Sequence, residues 1–74
     1  MKTLTDKQRD ILDIIEKFID ENGYSPTIRE IGKIAKLNSP ATVYTHLTNL
    51  REKGYITYMD GKMRTIRILE VEYE

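Results

Sequence analysis

Apolar positions recur at helical spacing along the first two thirds of the chain and alternate along the last third. Ile11, Leu12, Ile14, Ile15, Phe18 and Ile19 fall on one face and predict a first helix over about Thr5–Asn22. Thr5 and Gln8 have capping-box spacing at its start, Asp6 suits the positive end of the helix dipole, and Asn22-Gly23 is a stop. Tyr24-Ser25-Pro26 reads as an extended connector, because a residue before proline is pushed out of the helical region. A second helix is predicted over about Ile28–Lys36, with Thr27 and Glu30 as another capping box. Ile28, Ile31, Ile34 and Ala35 are expected to face inward, and Arg29, Glu30 and Lys33 outward. Gly32 costs a helix ~1 kcal/mol against alanine, which points to close approach by a neighbouring helix. Leu37 packs the turn that follows, and Asn38 suits a left-handed backbone.

A third helix is predicted over about Pro40–Lys53, with Ser39 as N-cap, Pro40 at the first helical position and Gly54 closing it. Val43, Leu47 and Leu50 form its narrow core stripe. Ala41, Thr45, Thr48 and Glu52 then lie opposite, flanked by Thr42, Tyr44 and Asn49. After Gly54, Tyr55–Tyr58 and Thr65–Leu69 alternate as strands do, and Asp60-Gly61 between them is a hairpin signal. Since a two-stranded hairpin is not stable alone, Ile56, Ile66 and Ile68 are expected to pack on the helices, with Lys62 and Arg64 projecting at the tip as a wing. Two short helices joined by a tight turn are the pattern of a helix-turn-helix, whose second member enters the major groove of DNA. The expected fold is therefore mainly α with a small β-hairpin: a three-helix bundle plus a two-stranded antiparallel wing, a winged helix-turn-helix.

A chain of 74 residues is one domain, with residues 1–69 as its body and 70–74 as an acidic tail or the start of a linker. It has no cysteine and a single histidine, His46, which falls on the shoulder of the core stripe and reads as structural. Asp6, Asp10 and Asp13 fit one solvated face of the first helix, and Tyr24 and Tyr55 are expected to cover the edge of the core. Without a metal cluster, a nucleophile beside a base or a glycine-rich phosphate loop, neither an enzyme nor a cofactor is expected, and no small-molecule ligand. No apolar run reaches the ~18 residues of a membrane helix, and a cytoplasmic protein without membrane attachment is expected. The net charge is zero, yet it is unevenly spread. Residues 1–22 carry 4 basic and 6 acidic side chains, residues 23–69 carry 8 basic and 3 acidic, and the last five residues carry 3 acidic and no basic ones. The local basic region, not the total, sets the field near a phosphate backbone.

The outer face of the third helix carries short side chains, Ser39, Ala41, Thr42, Thr45 and Thr48, with Tyr44 beside them. Short side chains let a helix sit deep in a groove about 12 Å wide, where a threonine hydroxyl meets a base edge and a methyl meets thymine. An ordinary solvated helix face would be richer in Glu, Lys and Gln. Thr5, Lys7, Ser25, Thr27, Arg29, Arg51, Lys53, Lys62 and Arg64 flank this helix and are candidates for phosphate contact.

Leu4-Thr5-x-x-Gln8, Gly23-Tyr24-Ser25-Pro26-Thr27-x-x-Glu30-Ile31, Ser39 with His46-Leu47, Lys53-Gly54, and Arg64 with Ile66-Arg67 together resemble the N-terminal DNA-binding domain of the LexA family of SOS-response repressors, over about residues 1–69. The resemblance implies a winged helix-turn-helix, base reading by Ser39, Ala41, Thr42, Tyr44 and Thr45, and phosphate contact by Thr5, Lys7, Thr27, Lys53 and Arg64. It implies double-stranded DNA with a palindromic operator as partner, a monomer paired on DNA, transcriptional repression in the DNA-damage response, and a bacterial or phage setting at the nucleoid. The Thr42-Val43 and His46-Leu47 pairs look closer to Gram-positive members. Proteobacterial members often carry asparagine and glutamates on the reading face, so their operator does not transfer to Ala41, Tyr44 and Thr45.

Family members continue into an Ala-Gly cleavage bond and a Ser-Lys self-cleaving domain that also dimerises, and nothing in these residues matches either. Self-cleavage and stable dimerisation are accordingly not expected of this chain, which fits both an excised domain and a naturally short relative, for example of a phage. The rival function is a protein-interaction module that uses the same helix face or the wing to dock a regulator. Binding that is steeply salt-dependent separates DNA from that rival, because phosphate contact releases counterions.

Overall fold

A computed structural model describes residues 3–69 as three helices and a short antiparallel ribbon. Helix α1 spans Asp6–Asn22, α2 Ile28–Ala35 and α3 Pro40–Glu52, followed by β1, Ile56–Thr57, and β2, Arg67–Ile68. The expected acidic tail at 70–74 lies outside the described residues.

Local chemistry fixes the helix ends. Thr5 accepts from the Gln8 N–H at 3.1 Å while Gln8 Oε1 accepts from the Thr5 N–H at 3.1 Å, and Thr27 and Glu30 repeat the arrangement at α2. Gly23 ends α1 with φ 78° and donates its N–H to the Ile19 carbonyl at 2.8 Å. At the end of α3, Gly54 has φ 85°, and the Tyr55 N–H reaches back to the Leu50 carbonyl at 3.0 Å.

Two helix ends differ from the sequence expectation. The left-handed residue of the turn between α2 and α3 is Lys36, φ 59°, rather than Asn38. The Leu37 N–H bonds the Gly32 carbonyl at 2.8 Å, and this closure demands a positive φ at residue 36 whatever side chain stands there. Ser39 does occupy the N-cap of α3 with extended backbone, but its side chain makes no capping bond.

The core gathers Leu4, Ile11, Leu12 and Ile15 of the first segment, Ile31 of α2, Val43, Leu47 and Leu50 of α3, and Tyr55, Ile56 and Ile66 of the ribbon. Ile19, Ile28, Ala35, Leu37, Tyr58 and Ile68 pack around it, while Ile14 and Phe18 are half-buried. Gly32 is the close-approach point: a Cβ there would stand 3.1 Å from the Leu37 carbonyl oxygen and 3.3 Å from Val43 Cγ2. This contact turns α2 so that its buried arc is centred between Ile31 and Gly32. Ile34, expected inside, falls beyond the edge of that arc and is 52% exposed.

The ribbon pairs Ile56 with Ile68 and Thr57 with Arg67, two residues per strand instead of the four and five expected. Its backbone bonds are diverted beyond Thr57. The Ile66 N–H donates to Ser25 Oγ at 3.3 Å, and the Met59 N–H donates to Thr65 Oγ1 at 2.9 Å. Asp60-Gly61 thus does not close a two-residue hairpin. It is the corner of a turn, closed by the Lys62 N–H on the Met59 carbonyl at 3.2 Å, within a wing loop over residues 58–66. Gly61 has φ 73° whereas Asp60 keeps a negative φ, so the primed turn that splices strands directly is not formed.

Candidate nucleic-acid interface

The core stripe of α3 dictates its free face. With Val43, Leu47 and Leu50 turned inward, Ser39, Ala41, Thr42, Tyr44 and Thr45 are all exposed. Between Ser39 and Asn49 the helix carries no acidic or basic side chain other than His46. Thr45 Oγ1 is turned back to the Ala41 carbonyl at 3.0 Å. His46 sits half-buried as a shoulder residue, and its Nδ1 is enclosed without a hydrogen-bond partner.

Three junctions frame this face, and cations expected at phosphates take part in each. Lys53, the C-cap of α3, donates to Gln8 Oε1 at 2.6 Å and to the Thr3 carbonyl at 2.9 Å. The start of α1 is thereby pinned to the end of α3. Arg64 donates to both carboxylate oxygens of Glu30, at 3.0 and 3.3 Å, and to the Ser25 carbonyl at 3.0 Å. Its guanidinium also lies 4.6 Å from the centre of the Tyr24 ring, and its own backbone is left-handed, φ 57°. The wing is thus latched to the start of α2. Arg51 pairs with Asp60 at 3.3 Å and stacks 4.0 Å over the Tyr58 ring, which ties α3 to the wing.

Both capping boxes therefore serve twice: Gln8 and Glu30 each close a helix start and also receive a distant cation. The Glu30 carboxyl is held below its ordinary pKa by the Thr27 N–H first and by Arg64 second. The Tyr44 phenol is pushed above its ordinary value, by the neighbouring Tyr58 phenol first and by the Asp60 carboxylate.

The other phosphate candidates are distributed around the same face. Thr5 is exposed and Thr27 half-buried, each at a helix start. Lys7 reaches the Ala35 carbonyl at 3.5 Å and Asp10 at 3.6 Å, between α1 and the turn. Arg29 and Lys62 are exposed, with no side-chain partner among the described residues. Ser25 is buried, its hydroxyl occupied by the wing backbone and its carbonyl by Arg64, and that geometry makes it a structural residue. Tyr55 is buried at the core edge as expected, but Tyr24 is largely exposed and meets Phe18 edge-on at 5.8 Å. Asp6, Asp10 and Asp13 are solvated, and among the described residues no group of three metal-ligating side chains converges.

Asp60, Tyr58 and the second roles of Gln8 and Glu30 carry no signal in the sequence. Asp60 reads locally as a turn residue, and nothing near it in the chain signals a contact made 16 residues back. Between the wing, α3 and the start of α2 lies a cleft of about 520 Å³, lined by Thr27, Ile28, Tyr44, Leu47, Met63 and Ile66 among others. No described helix is long and apolar enough to cross a membrane.

Comparison with known proteins agrees with this geometry. The chain is 49% identical over 72 residues to the LexA repressor of Bacillus cytotoxicus, covering 97% of this chain and 35% of that protein. The LexA repressors of Bacillus mycoides and Bacillus anthracis are each 49% identical over 69 residues, covering 93% of this chain and 34% of theirs. The chain thus spans about a third of the length of the curated relatives it matches. Residues 1–65 match the family described as the LexA DNA binding domain. With the helix-turn-helix, the wing and the uncharged outer face of α3 in place, the chain belongs to the LexA DNA-binding domain family.

Proposed function

We propose that this domain carries the operator-binding activity of a LexA-like transcriptional repressor, with α3 in the major groove of double-stranded DNA. The observation that carries the reading is the exposed, short-chained and uncharged face at Ser39, Ala41, Thr42 and Thr45, with cations on both flanks. Tyr44 joins the base-reading set. Thr5, Lys7, Thr27, Arg29, Lys53, Lys62 and Arg64 contribute phosphate contacts, whereas Arg51, the remaining candidate, is held by Asp60. For Lys53 and Arg64 the contact is an added one, since both already serve junctions. On a palindromic operator two copies would lie about one helical turn apart, ~34–36 Å, and a single copy would hold a half-site weakly. Repression follows where the operator overlaps a promoter. Placement at the bacterial or phage nucleoid, and control by DNA damage, belong to the same proposal.

The test is a fluorescence-anisotropy titration of the chain against random and palindromic duplexes at two salt concentrations. Tighter, salt-sensitive binding to a subset of duplexes supports the reading. Absence of binding at low salt and high protein concentration overturns it, in favour of the protein-interaction module that the cleft beside the wing would suit.

A further inference from the structure

Tyr44, Thr48 and Arg51 follow one another at helical spacing and form the edge of α3 that faces the wing. All three are engaged by two wing residues. The Tyr44 hydroxyl donates to Asp60 Oδ1 at 3.2 Å, and Arg51 Nη1 donates to the same oxygen at 3.3 Å. The Tyr58 hydroxyl meets Thr48 Oγ1 at 3.2 Å, and the Tyr58 ring stands edge-on to Tyr44 at 6.2 Å and beneath the Arg51 guanidinium. The Asp60 side chain is itself two-thirds exposed. An ion pair so exposed contributes little to folding, so stability does not explain a carboxylate within the basic stretch of residues 23–69.

We propose that Asp60 is a specificity-determining residue that acts from the wing, fixing the Tyr44 phenol on the reading helix and withholding Arg51 from phosphate. The inference rests on α3 being the DNA-reading helix. Asp60 would set discrimination in two ways. It presents a negative charge to any phosphate backbone, which weakens binding to all sequences alike. It also orients the one aromatic side chain of the reading face, which favours the sequences that Tyr44 can contact. Specificity arises from such a repulsive element together with an attractive one.

The two effects separate by substitution. Asparagine keeps an acceptor for the Tyr44 hydroxyl and removes the charge, whereas alanine removes both. Asp60→Asn, Asp60→Ala, Tyr44→Phe and the double variant Asp60→Ala/Tyr44→Phe are titrated by anisotropy against the preferred duplex and a random duplex at two salt concentrations. Asp60→Asn is expected to bind both duplexes more tightly, with a salt slope steeper by about 0.9 and the wild-type ratio between them retained. Asp60→Ala is expected to show the same steeper slope with the ratio reduced about tenfold, as one lost base contact would do. Tyr44→Phe should reduce the ratio alike and add nothing in the Asp60→Ala background.

Wild-type affinity, slope and ratio in Asp60→Ala would overturn the proposal, and so would additive losses in the double variant. A wild-type chain that shows no salt-sensitive preference among duplexes removes the DNA reading itself, before any variant is compared.

Discussion

Ser39 occupies a position where a hydroxyl ordinarily closes a helix, and its side chain leaves that bond unmade. Ser39→Ala should therefore change unfolding free energy by less than about 0.5 kcal/mol, while it weakens binding to the preferred duplex. Thr27→Ala, which breaks a complete capping box, should lower stability by about 1 kcal/mol. Urea titration of the two variants gives the contrast directly. Lys36 is the converse case. Its left-handed backbone suits glycine, and Lys36→Gly should raise stability by about 0.5–1 kcal/mol, read as a higher urea midpoint at unchanged m. Both capping boxes were legible in the sequence because each is written within four residues. The left-handed residue was not, because Leu37 and the closure onto Gly32 set it, and residue 36 has no preference for it.

At the level of elements, the sequence specified the helices more fully than the wing. The helices carry their own caps and apolar stripes. The strands depend on what distant groups do with their backbone, and Ser25 and Thr65 take N–H groups that a longer ladder would have used. The rotation of α2 that exposes Ile34 likewise comes from the fit of Gly32 against Val43, a fact of the pair of helices. Gly32→Val would place branched methyls into that contact and should cost about 1–3 kcal/mol in chemical unfolding. The latch between α2 and the wing carries a pH dependence. The Glu30 carboxyl is more acidic in the folded chain than in the unfolded one, so its contribution is complete above the unfolded pKa and disappears as pH falls through the folded value. Stability measured from neutral to acid pH should decline below the ordinary glutamate range, and Glu30→Gln should remove that part of the decline. An unaltered profile in Glu30→Gln would show that neither the Thr27 N–H nor Arg64 favours the charged carboxylate.

For the whole molecule, three helices and a ribbon meet over one small core, and a domain of this size has little stability to spare. Leu47→Ala opens that core at its centre and should cost about 2–5 kcal/mol, enough to leave the chain partly unfolded at 37 °C by circular dichroism. The reading face was visible in the sequence because it is the complement of the buried stripe of α3. Its frame was not, because Lys53 with Gln8, Arg64 with Glu30 and Arg51 with Asp60 join residues far apart along the chain. The zero net charge conceals a basic body, and these three pairs show that part of that charge serves to position the α1 start and the wing around α3.

The wing loop also displays two thioethers, Met59 at 61% exposure and Met63 at 76%, outside the core. Dilute peroxide should convert both to sulfoxides without unfolding the domain, each adding one oxygen to the mass. If the wing lies against a duplex, these sulfurs become harder to oxidise in the complex. Their rate of mass gain, followed with and without DNA, would then serve as a label-free gauge of wing engagement, separate from any readout of α3.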